Sequence, residues 1–161
     1  MAAFFTNLHV ALVVLGLSAA PLIEAKAAIP IGITVYHMSP LAACLLGTLG
    51  MAIAAALLLP ILEGLTKWLA SLHPAIDRLI ERIFSVTRHK HAKSFDRFGA
   101  LALFIYVALP IPFVGVWSGA LLAYLFGIRY RPALLALTLG SAVSSVLVTL
   151  ATVGVLRLAT L

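Results

Sequence analysis

Residues 102–127, ALFIYVALPIPFVGVWSGALLAYLFG, are apolar enough and long enough to cross a membrane, yet Pro110 and Pro112 stand at their centre and Gly115 and Gly119 follow. A proline has no N–H, and its ring clashes with the preceding helical turn. In lipid, a broken helix survives only where protein or a water-filled cavity satisfies the freed backbone groups. A plain bundle of straight helices is therefore excluded. The stretch predicts a re-entrant hairpin: a short helix over 98–109, a turn at Pro110-Ile111-Pro112, and a return over 113–127. Arg97 on one side and Arg129 and Arg131 on the other would then share one face of the membrane. A straight crossing would separate them.

The chain has four apolar blocks, about 4–23, 41–62, 98–127 and 132–158. It is 63% hydrophobic and 10% charged, where a soluble domain carries about 25% charged residues. It cannot cover itself with polar surface, so the expected class is an all-α integral membrane protein in one domain, with about three full spans. Seven of the eleven basic residues lie between Lys67 and Arg97. Basic residues beside membrane segments mark the cytoplasmic side, which places 63–97 inside. Within it, Ile76, Leu79, Ile80, Ile83 and Phe84 recur at helical spacing, with Asp77, Arg78, Glu81 and Arg82 on the other face and Pro74 at the start. That is the pattern of an interfacial amphipathic helix.

The net charge of +6 reads as topology and attraction to anionic lipid heads rather than nucleic-acid binding, since no stacking aromatics alternate with the charges. Cys44 is the one cysteine and has no intramolecular disulfide partner. The five histidines do not cluster at ligand spacing on any expected helix, so no metal or cofactor is expected. No nucleophile–base pair or phosphate loop appears, and an enzyme is not expected. The N-terminal apolar run lacks Lys or Arg ahead of it, which favours a retained membrane segment over a signal peptide.

The sequence also repeats itself. AIPI (28–31) answers ALPI (108–111), TLGMAIAAAL (48–57) answers TLGSAVSSVL (138–147), and Pro40 and Pro132 stand before the two long spans. This divides the chain into a first half-repeat at 24–62 with a hairpin turning near Pro30, the connector 63–97, and a second half-repeat at 98–158. Two hairpins entering from opposite faces would form an inverted repeat. Interrupted apolar segments at corresponding positions of two halves point to a transporter's central site.

Two stretches resemble a known family. PLIEAKAAIPIGI (21–33) is similar to the Pro-x-x-Glu-Leu-Arg-Gly-Ala-Ile-Pro opening of the bacterial small multi-drug export proteins. Residues 98–127 are similar to that family's Ala-x-Pro-Leu-Pro-Gly-Thr-Gly-Ala-Trp-x-Gly-Ala segment. Lys26 stands here for the family's Arg, Ala27 for its Gly, and Phe113-Val114 for its Gly-Thr. The family also looks distantly like the DedA-type membrane proteins, which are built on paired re-entrant hairpins and are implicated in carrying undecaprenyl phosphate and other lipids. The resemblance implies the bacterial inner membrane and paired hairpins, with a drug or lipid as cargo.

Glu24 is the strongest single candidate residue, because an intramembrane acid is costly and usually faces a bundle interior or water. It could carry a proton, or it could merely end a helix at the interface. Lys26 would share its side in an extended arm, to neutralise it or to bind an anionic head; a snorkelling lysine is the alternative. Pro30, Pro110 and Pro112 would shape the hairpin tips. Gly115 and Gly119 have the spacing that lets helices approach closely. Trp117 could stack on a substrate or pack. Arg97, Arg129 and Arg131 could meet a lipid phosphate. Ser141, Ser144 and Ser145, with Thr48 and Thr138, could bind helices together. The expected function is a small secondary transporter, proton-coupled, moving an amphipathic compound. A flippase for an anionic lipid and a non-transporting scaffold are the alternatives. The expected partners are membrane lipid and further copies of the chain, as a dimer or larger.

Overall fold

A computed structural model describes residues 2–21, 23–72, 78, 92–111 and 114–159. Among these the chain forms six helices and no strand: α1 (Ala2–Ala19), α2 (Glu24–Thr34), α3 (Pro40–Leu72), α4 (Ala92–Ala108), α5 (Val116–Leu125) and α6 (Tyr130–Ala159). Alanine and leucine dominate them, the residues with the strongest helix preference. Pro40–Trp68 and Tyr130–Ala159 are long and apolar enough to cross a membrane. Their outward faces carry large aliphatic side chains, Leu45, Leu49 and Leu57 on α3 and Leu135, Leu139 and Leu150 on α6.

Local chemistry sets the ends of these elements. Ser39 caps α3, its Oγ accepting the Ala42 N–H at 3.3 Å, and Pro40 takes the first helical position, where a missing N–H is harmless. Pro60 lies inside α3 and leaves the Ala56 carbonyl without its helical donor. The Tyr130 hydroxyl approaches that carbonyl at 3.5 Å from the start of α6.

Each short helix folds back on its predecessor. Gly32 of α2 lies against Val14 of α1, so the chain reverses between Ala19 and Glu24. Leu122 and Phe126 face Gly99 and Leu103 of α4, so it reverses again between Ala108 and Val116. The order is thus arm, break, arm and long helix, twice over. Gly50 of α3 crosses the Leu15 carbonyl of α1, and Gly140 of α6 crosses the Phe104 carbonyl of α4. Between the halves the partners exchange: α2 packs on α6, α5 packs on α3, and α3 packs on α6. The shared core runs through Ala25, Ile29, Met51, Val107, Val116 and Leu137.

Several expectations shift. The first hairpin does not turn at Pro30, which lies inside α2. It is α1 and α2 that fold back on each other, on either side of the break at 20–23. ALPI closes α4 while AIPI lies within α2, so these two proline motifs are not counterparts. Among the described residues two helices meet the length and hydropathy of a full span, where about three were expected. Within the segment 63–97, α3 runs on to Leu72 and α4 begins at Ala92. Of the expected amphipathic helix only Arg78 is described; the rest of it, like Pro112, lies outside the described residues.

Candidate functional site: the junction of the two breaks

The two breaks meet each other. Glu24, only 6% exposed, opens α2 from the first break. Its Oε2 lies 2.9 Å from the Lys26 ammonium. Its Oε1 accepts the backbone N–H of Trp117 at 3.3 Å, in the first turn of α5. Lys26 also donates to the Val114 carbonyl in the second break. The Trp117 indole Nε1 donates to the Ala19 carbonyl at 3.1 Å, at the end of α1. These contacts tie residues 19–26 to residues 114–117.

The physics of helix ends explains the arrangement. The first N–H groups of α5 have no intrahelical partner and carry a partial positive charge. Ser118 accepts the Gly115 N–H at 3.0 Å, and the Glu24 carboxylate, from the other half of the chain, accepts that of Trp117. The Ala19 carbonyl is one of the orphan acceptors at the end of α1, and the indole fills it. Lys26 then compensates the charge of Glu24, as a buried carboxylate requires.

Glu24 and Lys26 do not pair along an extended arm. Both lie in the first turn of a helix, where residues two apart do not normally face each other. Glu24 has φ of +48°. That left-handed backbone, unfavourable for a residue with a side chain, re-aims its carboxylate toward Lys26 and α5. Strain of this kind collects where a geometry is held for a purpose.

Gly115 is extended, with φ −171°, which any residue can adopt. It is glycine for space: a Cβ there would fall on the Glu24 carboxylate. Gly119 serves packing, since a Cβ would come 2.7 Å from Leu137 and 2.8 Å from Val107. Pro30 and Pro110 do not touch the ion pair. They line an open groove of about 520 Å³ with Thr34 and with Leu147, Val148, Thr152 and Val155 of α6. Arg129 and Arg131 are exposed where α5 gives way to α6, away from the junction. Arg97 lies in α4 by its backbone, and its side chain is outside the description.

Thr48 and Ser141 do not bridge helices. Each donates to a carbonyl of its own helix, Cys44 at 2.9 Å and Thr138 at 2.8 Å. Sequence reasoning missed the Val114 and Ala19 carbonyls, which have no residue signature, and Ser118, whose position three residues after Gly115 is a helix-start signal. Among the described residues no three His, Cys, Asp or Glu side chains converge to hold a metal.

An all-helical chain with two helices long and apolar enough to cross a membrane points to the class of helical membrane proteins. A family model described as "Putative small multi-drug export protein" matches residues 24–147. The chain belongs to that family. No curated protein and no solved structure matches it.

Proposed function

We propose that the chain is a small proton-coupled secondary transporter for an amphipathic compound, and that the Glu24–Lys26 pair at the meeting of the two breaks is its coupling site. One observation carries the reading: Glu24 and Lys26, paired with each other in the first half, each also hold a backbone group of the second, the Trp117 N–H and the Val114 carbonyl. Protonating Glu24 removes its attraction for Lys26 and weakens its hold on the α5 N-terminus. The halves are then free to shift. That is the requirement for a gate: an element with two arrangements whose balance one proton biases.

In this proposal the two folded-back hairpins re-enter from opposite faces of a bacterial inner membrane, as in the DedA-type proteins, with the basic segment after α3 on the cytoplasmic side. The groove beside Pro30 and Pro110 has the size and apolar lining of a small-molecule site. A protein this small would enclose a complete path as a dimer or larger.

The decisive assay is pH-gradient-driven flux of a cationic amphipathic dye in proteoliposomes, normalised to folded protein. Glu24→Gln keeps an acceptor for the Trp117 N–H but cannot carry a proton. The expected outcome is a folded protein whose flux no longer responds to the gradient. Full gradient-driven flux in Glu24→Gln would sink the coupling role and leave the pair as a structural tie, as in a scaffold. A lipid-carrying role separates by Arg129 and Arg131, exposed at one end of the second hairpin. Their joint replacement by Gln should impair anionic-lipid movement while sparing dye flux.

A further inference from the structure

Aligning the two long helices on Gly50 and Gly140 pairs Met51 with Ser141, Ala54 with Ser144, Ala55 with Ser145 and Leu59 with Thr149. All eight side chains are buried. The same face of the same helix is therefore apolar in one half and hydroxyl-bearing in the other. Ser141 and Thr149 donate to carbonyls of their own helix, at 2.8 Å and 2.7 Å, and keep lone pairs for a further donor. The Ser145 hydroxyl has no partner among the described residues, although the side chain is fully buried. A buried hydroxyl without a bond is unfavourable, and serine is a poorer helix former than the alanine at the matching site. Packing alone would select alanine there, as it has at Ala55.

The position of this face narrows its role. Gly140 lies against the Phe104 carbonyl and the Ala108 nitrogen, at the end of α4. Ser144 and Ser145 follow one turn further on, between this crossing and the groove that Pro110, just past the end of α4, helps to line. One turn beyond them, Val148 and then Thr152 line the open groove beside Pro30 and Pro110. From Thr149 to Ser141 the hydroxyl face thus extends about 12 Å along α6 at the helical rise, from the groove toward the crossing with α4.

We propose that the buried face of α6 carrying Ser141, Ser144, Ser145 and Thr149 is a hydrated track, through which water passes from the groove toward the crossing with α4, with Ser145 as its central water ligand. Single waters bridge hydroxyls a turn apart, at little loss relative to direct bonds. That the water delivers a proton to Glu24 rests on the transporter reading; that water occupies this face does not.

The test compares the two halves. In a Cys44→Ser background, Ser145→Cys and Ala55→Cys are each exposed in native membranes to a small water-soluble thiol reagent. Thiols react as thiolates and need water to ionise, so Ser145→Cys should label about tenfold faster than Ala55→Cys. Equal rates at the two positions, slow or fast, would overturn the proposal. A second reading uses Ser145→Ala in detergent. Removing a dry orphan hydroxyl should raise the thermal midpoint, and a rise would count against hydration. Removing a water ligand should leave the midpoint unchanged or lower it. Neither measurement uses transport, so loss of the track leaves the Glu24 reading to its own flux assay, and the reverse.

Discussion

The two halves share one plan and spend different residues on it. In the first, the charge arrives at the junction on side chains, Glu24 and Lys26; in the second, the answering groups are backbone, the Val114 carbonyl and the Trp117 N–H. The packing of short helix on long helix is reversed as well. In the first half the glycine is on the long helix, Gly47, and receives Ile29; in the second the glycine is on the short helix, Gly119, and receives Leu137. Backbone geometry thus constrains both halves alike, while side-chain chemistry divides between them. An arrangement with one charged and one neutral partner can respond to a proton, which two identical neutral halves could not.

The largest expected effect breaks the asymmetry at its source. Lys26→Met leaves Glu24 buried without a counter-charge, and should lower stability by about 3–5 kcal/mol, the usual penalty for removing one partner of a buried pair. The double variant Glu24→Gln/Lys26→Met should recover most of that loss, because no uncompensated charge remains. Thermal or denaturant unfolding in detergent checks both. If the double variant is as unstable as Lys26→Met alone, Glu24 and Lys26 do not act as a unit at the junction.

The crossings of arm and long helix should respond equally in the two halves. A Cβ on Gly50 would lie 2.5 Å from the Leu15 carbonyl oxygen, and one on Gly140 would lie 2.8 Å from that of Phe104. Backbone yields less readily than a side-chain end, so Gly50→Ala and Gly140→Ala should each lose about 2–3 kcal/mol. Gly64→Ala, where nothing lies within 4 Å, should instead gain up to about 1 kcal/mol from helix preference. A harmless Gly140→Ala beside a damaging Gly50→Ala would show that only one half is closely crossed.

A smaller effect tests the reversed packing. Gly119→Ala pushes against Leu137 Cδ2, the far end of a flexible side chain, and should lose about 1–2 kcal/mol. Adding Leu137→Val should restore part of it by withdrawing that methyl. If the second change adds its own full loss instead, the two residues do not share the contact.

How legible was this in the sequence? The helical class and the second break were: apolar blocks too long for soluble helices, and prolines where lipid makes a break conspicuous. The first break was hidden. The apolar run continues through Pro21 and Ile23 without a change of character, so Glu24 reads as the end of a span. AIPI drew attention to Pro30, which α2 absorbs at the loss of one hydrogen bond, from the proline position to the Lys26 carbonyl. Glu24 and Lys26 stood out as charges in an apolar run. Their partners did not, because a carbonyl such as that of Val114 belongs to every residue type. The left-handed turn at Glu24, which makes the pairing work, has no signature when the residue is not glycine. TLG at 48–50 and 138–140 was legible because each carries a glycine, Gly50 and Gly140, that a close crossing demands.

The smallest effect concerns how the two short helices end. After α5, Gly127 has φ of +67°, and the Ile128 N–H reaches back to the Ala123 carbonyl at 2.9 Å. After α2, His37 has φ of +50°, and the Met38 N–H reaches back to the Gly32 carbonyl at 3.0 Å. Both closures need a left-handed residue just past the helix. One half uses glycine, which adopts it freely; the other holds a histidine there against its preference. His37→Gly should therefore gain about 0.5–1 kcal/mol, less what glycine returns through the greater freedom of the unfolded chain. Gly127→Ala should lose about 1 kcal/mol, and thermal midpoints of the two variants decide the matter. A loss on His37→Gly would mean that the imidazole itself does something at that turn, and that the halves differ there by function rather than by tolerance of strain.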